Sequence, residues 1–234
     1  MNLLIKGLQK TSLIDYPPYT SSVIFLGGCN FRCGFCHNPE LVLQPDKGNT
    51  IKVEEVLEHL KNKRNWIEGV CITGGEPTIY PDLYKFMYEL KKQGFLVKLD
   101  TNGTNPIILD YLIHNRLVDY IAMDIKAPLE KYEKITGVRA DKEAVKQSVE
   151  IIKNSGIDYE FRTTAVPGLL GKEDFLRIAE WLKGSKRYCI QQFRNNKGLI
   201  DKELEKAEPY DNKKIEEIAK SLNPYFDEVE VKNV

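Results

Sequence analysis

Cys29, Cys33 and Cys36 fall within eight residues, in the run GGCNFRCGFCHNPE at 27–40. Thiolates at this density bind soft metals, and Gly27, Gly28 and Gly34 let the loop turn tightly around one centre. A 4Fe–4S cube has four irons, so three thiolates leave one iron without a protein ligand. An open coordination position marks a catalytic rather than a structural metal site. Structural zinc asks for four ligands, usually as two separated pairs, and His37 follows Cys36 too closely to bind the same ion well. Three thiols on a glycine-rich loop also make poor core filler. The spacing ranks a cluster above zinc, and zinc above chance. Cys71 and Cys189 lie inside the apolar runs VCIT and YCIQ, where buried inert thiols are expected. No further set of cysteines remains for a second cluster.

Other polar residues recur at the ends of apolar runs. TGGEP at 73–77 offers Gly74 and Gly75, which let a ligand approach the backbone, and Glu76, which can accept from an ammonium. Alone, that run reads as an ordinary turn; one strand after a cluster loop it gains weight. Asp100-Thr101-Asn102-Gly103 ends another apolar run, with Asn-Gly a common turn pair. Asp124 and Lys126 are two apart, so on a strand both point to one face. A lysine there needs an anion, either a ligand or Asp124 itself. Arg162, in FRTTAVPG, can bind a carboxylate or pair with Glu160.

Short apolar runs alternate with longer amphipathic ones. Strands are predicted over Ser22–Leu26, Gly69–Thr73, Leu96–Asp100, Tyr120–Ile125, Tyr159–Ala165 and Cys189–Phe193. Helices are predicted over Val53–Arg64, Pro81–Gln93, Pro106–Asn115, Lys142–Asn154, Lys172–Leu182 and Asn212–Ser221. This order implies an α/β fold with parallel strands and right-handed crossovers. Periodicity leaves open a doubly wound sheet or a partial barrel. In either, sites form at the C-terminal strand ends, where Thr73, Asp100, Asp124, Lys126 and Arg162 fall. The chain has 234 residues and a formal net charge of zero, which gives no footprint for nucleic acid. The apolar start MNLL is too short for a signal or a membrane span, so a cytoplasmic protein with reduced thiols is expected.

Cys-x3-Cys-x2-Cys with Phe35 before the last cysteine is similar to the signature of the radical S-adenosylmethionine (SAM) superfamily. DYP at 15–17, CHNPEL at 36–41 and TGGEPT at 73–78 resemble its glycyl-radical-enzyme activating proteins in particular. The resemblance runs from about Ile14 to Arg194. It implies a partial (β/α)6 TIM-like barrel, as a single domain over 1–234 with a core at about 14–194 and a C-terminal helix and short strand beyond. It also implies one 4Fe–4S cluster on Cys29, Cys33 and Cys36, with SAM on the open iron and beside Phe35. Gly74, Gly75 and Glu76 match the motif that binds the methionine amino group. Asp100, Thr101 and Asn102 would lie beside SAM, Lys126 at its carboxylate, and Arg162 near its methionine end and ribose. Asp100 and Asp124 would also contribute to a monovalent-cation site. The implied activity is reductive cleavage of SAM to a 5′-deoxyadenosyl radical that makes a glycyl radical on a partner enzyme. The chain resembles the compact activases of anaerobic ribonucleoside-triphosphate reductase most. A pyruvate formate-lyase-like partner, or a small-molecule or RNA substrate, is the alternative, and a non-enzymatic iron–sulfur or zinc protein the remotest. The implied electron donor is a flavodoxin or ferredoxin. His37 and Asn38 are expected to shape the cysteine loop, and Gln191 and Arg194 have weaker claims.

Overall fold

The strand–helix alternation closes into one sheet in the computed structural model, which describes residues 1–232. Its strands are β1 (Ile5–Ser12), β2 (Ser21–Leu26), β3 (Gly69–Gly74), β4 (Leu96–Thr101), β5 (Tyr120–Asp124), β6 (Asp158–Ala165), β7 (Ser185–Gln192) and β8 (Phe226–Lys232). The helices are α1 (Pro39–Leu43), α2 (Val53–Asn62), α3 (Leu83–Lys92), α4 (Pro106–His114), α5 (Tyr132–Thr136), α6 (Lys142–Asn154), α7 (Lys172–Leu182) and α8 (Asn212–Leu222). The strands lie side by side in chain order, β1 antiparallel to β2 and all later neighbours parallel. A doubly wound sheet reverses its strand order at a switch point. Here the order never reverses, so successive right-handed crossovers lay their helices on the same side and the sheet curls into an incomplete barrel. The six predicted parallel strands form its body, and β8 adds a seventh.

Besides the short helices α1 and α5, which were not foreseen, three elements differ from expectation. β1 was not foreseen, because IKGLQKTS buries only its two ends fully and carries no run of apolar residues. β7 starts four residues before the predicted Cys189, its polar opening SKRY being held by pairing with β8. The helix predicted from Pro81 begins at Leu83, with Asp82 at the N-cap position.

The two faces of the sheet have opposite chemistry. Toward the helices point Ile24, Ile72, Leu99, Ile121, Met123, Phe161 and Ile190, all fully buried against α2, α3, α4, α6 and α7 in one core. Burying a side chain of this size contributes about 1.5–3 kcal/mol, and this layer fixes the strand register. The inner face alternates with it, as period-two geometry requires, and is polar. Asp124 pairs in register with Arg162, Arg162 with Cys189, and Cys189 with Glu230. Among the described residues, no helix is long and apolar enough to cross a membrane.

Candidate active site

The cysteine loop leaves β2 and is fastened from several sides. Arg32 donates its backbone N–H to Thr136 O (2.8 Å), and its guanidinium reaches Cys29 O and Phe31 O (2.7 Å each). Asp201 donates to Gly34 O (2.9 Å), so the segment after β7 holds the other side. TGGEP is pinned beneath, with Gly75 N donating to Leu26 O and Glu76 N to Gly28 O (2.8 Å each). Both glycines are obligatory here. Gly74 has φ +119°, and a Cβ on Gly75 would lie 1.8 Å from Gly28 O.

Glu76 is fully buried and joins these turns. Its Oε1 accepts from Thr78 N (3.0 Å), Thr78 Oγ1 (2.6 Å) and Thr101 Oγ1 (2.7 Å), and its Oε2 from Asn102 N (2.6 Å). A carboxylate has about four acceptor sites, two on each oxygen; three donors crowd Oε1 and one meets Oε2. The side chain braces β3 against β4. Burial raises the Glu76 pKa, and hydrogen bonds from Thr78, Asn102 and Thr101 oppose that rise. The brace continues through Asn102 Nδ2 to Asn30 Oδ1 (2.8 Å) and Asn30 Nδ2 to Thr104 Oγ1 (2.7 Å), tying the cysteine loop to the end of β4.

All the predicted site residues meet. Cys29, Cys33, Cys36, Phe35, Gly74, Gly75, Glu76, Asp100, Thr101, Asn102, Asp124, Lys126 and Arg162 line one cavity of about 310 Å³ at the C-terminal strand ends. Asp15, His37, Asn38, Thr164 and Gln191 also line it. His37 is tilted against Phe193, their rings 6.3 Å apart. Burial pushes the Cys29 thiol up to about 11 and raises Cys33 as well, so both need nearby positive charge to ionise. Lys126 supplies some of it. Burial alone would lower the Lys126 pKa, but Asp124, 2.8 Å away, together with Cys33 and Cys29 outweighs that and raises it. Burial would raise Asp124, but Arg162 and then Lys126 bring it down to about 2.

The donor set favours a cluster over one ion. Zn–S bonds are ~2.3 Å, so two thiolates on one zinc lie at most about 4.6 Å apart. Among the described residues, the ligand atoms that gather within 4.8 Å belong to Glu160, Cys189 and Glu230; the three loop thiols do not. At the Glu160–Cys189–Glu230 group, Lys232 Nζ already takes the cation position, 2.7 Å from Glu160 and 3.3 Å from Glu230. Cys71 is buried, as expected, though it faces the polar interior among Lys98, Asp100 and Arg162.

Sequence reasoning missed Lys98, and named Glu160 only as an alternative partner for Arg162. Each stands two residues before a polar residue on the same strand, Asp100 and Arg162, and so shares its face. That spacing was the available signal.

The profile of the Radical SAM superfamily matches residues 23–182. A Methanocaldococcus jannaschii protein named provisionally as a glycyl-radical enzyme activating enzyme is 36% identical, covering all of this chain and 98% of its own. The pyruvate formate-lyase-activating enzyme of Clostridium pasteurianum is 27% identical over 76% of each chain. Among solved structures, Streptococcus suis SuiB bound to S-adenosylmethionine superimposes with a TM-score of 0.69 at 15% identity, over 88% of this chain and 48% of that one. A domain of a pyruvate-formate lyase-activating enzyme from Bacteroides vulgatus gives 0.58 at 14% identity, over 70% and 99%. At such identities these structures speak for the fold.

Proposed function

Since the chain belongs to the radical SAM superfamily, we propose that it is a cytoplasmic activase that places a glycyl radical on the anaerobic ribonucleoside-triphosphate reductase. The observation that carries the chemistry is the thiol set: three cysteines line one cavity and are one short of closing a four-iron cluster. The full-length likeness to a glycyl-radical enzyme activating enzyme supports a protein substrate. The partner is suggested by compactness. Cys71 is the one cysteine between Cys36 and Gly74, so the chain lacks the added cysteine sets of larger activases. Relatives named for pyruvate formate-lyase make an enzyme of that type the second reading. A flavodoxin or ferredoxin is the proposed electron donor.

When bound, the cluster and SAM supply a carbon-centred radical by one-electron reductive cleavage, which is the cofactors' own chemistry. The protein holds and orients them. Cys29, Cys33 and Cys36 would ligate three irons. Lys126 and Arg162 turn positive charge toward the cavity, where SAM's carboxylate would sit, and their partners Asp124 and Asp100 keep both side chains fixed. Phe35, buried at the cysteine loop, gives an apolar wall. Gly74 and Gly75 keep the cavity floor at backbone height, and Glu76 holds that floor in place.

The test uses protein reconstituted without oxygen and reduced with dithionite. Electron paramagnetic resonance is recorded with and without SAM, 5′-deoxyadenosine is assayed, and the reductase is then added. A 4Fe–4S signal altered by SAM, 5′-deoxyadenosine, and a glycyl-radical doublet on the reductase are expected. A doublet on a pyruvate formate-lyase-type enzyme alone would transfer the proposal to that partner. A spectrum indifferent to SAM would end the activase reading.

A further inference from the structure

Two carboxylates face the cavity from neighbouring strands, and the family resemblance assigns them a shared monovalent cation. The residues present do not fit one. Asp100 Oδ2 lies 3.3 Å from Arg162 Nη1 and Asp124 Oδ1 lies 2.9 Å from Arg162 Nε, so one guanidinium spans both groups. Asp124 Oδ2 is 2.8 Å from Lys126 Nζ. The fourth oxygen, Asp100 Oδ1, is 3.0 Å from Lys98 Nζ. It makes no hydrogen bond, so what it lacks is a well-directed donor; its charge is met. Every carboxylate oxygen therefore already faces a cationic nitrogen.

Lys98 is built in rather than borrowed from the surface. Its side chain is 7% exposed, and its ammonium also donates to Asp15 O (2.7 Å), in the loop between β1 and β2. Glu160 does not draw the array away. It is 3.9 Å from Arg162, and its other oxygen is engaged by Lys232 at 2.7 Å. Lys98, Lys126 and Arg162 set against Asp100 and Asp124 leave one positive charge over, the complement of one ligand carboxylate. An added alkali ion would need these oxygens, each already within 3.3 Å of a cationic nitrogen, and would add a fourth positive charge to a buried site where like charges repel strongly.

We propose that Lys98, together with Arg162, replaces a monovalent cation at the SAM site. SAM binding then needs no alkali ion, and Lys98 is the positioning residue that holds Asp100 for it. This rests on the radical SAM reading above.

The test measures SAM affinity of the reconstituted protein by equilibrium dialysis at fixed ionic strength. The buffers carry tetramethylammonium, which is too large to be coordinated, or sodium, potassium or ammonium. The wild-type dissociation constant is expected to agree within about twofold across all four. Lys98→Met is expected to bind SAM about tenfold more weakly in tetramethylammonium, to recover in potassium or ammonium, and to be matched in that recovery by Lys98→Arg without any ion. A packing role would not respond to ions. Wild-type binding that requires sodium or potassium overturns the inference by itself, and decides the matter even if Lys98→Met does not fold. So does a Lys98→Met that binds normally, or one that is weakened and indifferent to ions. No SAM binding by the wild type in any buffer overturns the activase reading, and this inference with it.

Discussion

Glu76→Gln isolates the brace between β3 and β4 with almost no change of shape. The carboxylate accepts four hydrogen bonds, three on Oε1 from Thr78 N, Thr78 Oγ1 and Thr101 Oγ1, and one on Oε2 from Asn102 N. Glutamine offers a single acceptor oxygen. Its best orientation keeps that oxygen toward the three donors and turns its NH2 group onto the Asn102 N–H. One charge-assisted bond of about 1.5–3 kcal/mol is then lost, and a buried N–H is left unpaired at a further cost of about 1–3 kcal/mol. Burial already holds the Glu76 pKa above the usual range, so the neutral side chain recovers part of the carboxylate's desolvation. A net loss of about 1–3 kcal/mol is expected. A chain of this length should lose about 2–4 °C in Tm for each kcal/mol. Thermal unfolding by circular dichroism measures this, and SAM affinity should fall in parallel, because Asn102 also secures Asn30 of the cysteine loop. A variant with unchanged Tm and unchanged SAM affinity would refute the brace.

Other predictions follow from the same geometry. Cys29→Ser, Cys33→Ser or Cys36→Ser should each lose bound iron and sulfide in chemical analysis after reconstitution, whereas Cys71→Ala and Cys189→Ala should keep both. Gly75→Ala must place a Cβ where Gly28 O lies 1.8 Å away, so it should be destabilised by more than about 3 kcal/mol in urea unfolding. Gly171→Ala, which meets no atom within 4 Å, is the tolerated control. Asp124, lowered from 3.8 to about 2 in the fold, contributes stability that is present above its ordinary pKa and lost as pH falls through the folded value. Up to ~2 kcal/mol should therefore disappear between about pH 4 and pH 2. Asp124→Asn should flatten that acid limb in pH-dependent unfolding, and should be less stable than wild type at neutral pH because it weakens the pairing of Arg162 and Lys126.

The sequence by itself determined the local chemistry and most of the fold. Cys29-x3-Cys33-x2-Cys36 names its metal class through ligand type and spacing. The alternation of short apolar runs with amphipathic ones dictates parallel strands and crossover helices, because each pattern buries a face at only one period. The strand ends likewise give away Asp100, Asp124, Lys126 and Arg162, since a polar residue closing an apolar strand lies where such folds build their sites. β1 escaped notice because an antiparallel edge strand needs little burial of its own and borrows its structure from β2. Only the tertiary structure decided what depends on neighbours far apart in the chain. The strand order, which makes the sheet a partial barrel, follows from how the crossovers pack and not from any single segment. Glu76 reads from sequence as an acceptor in a turn; only the structure shows Thr101 and Asn102, brought from the next strand, donating to it. Lys98 looks like one more lysine on an edge of polarity. Only the curl of the sheet, which sets it beside Asp100 under a loop from the start of the chain, makes it a buried cation. Residue types record which interactions are available; which of them are taken is fixed by pairing across strands, where distance and burial set the strength of every charge.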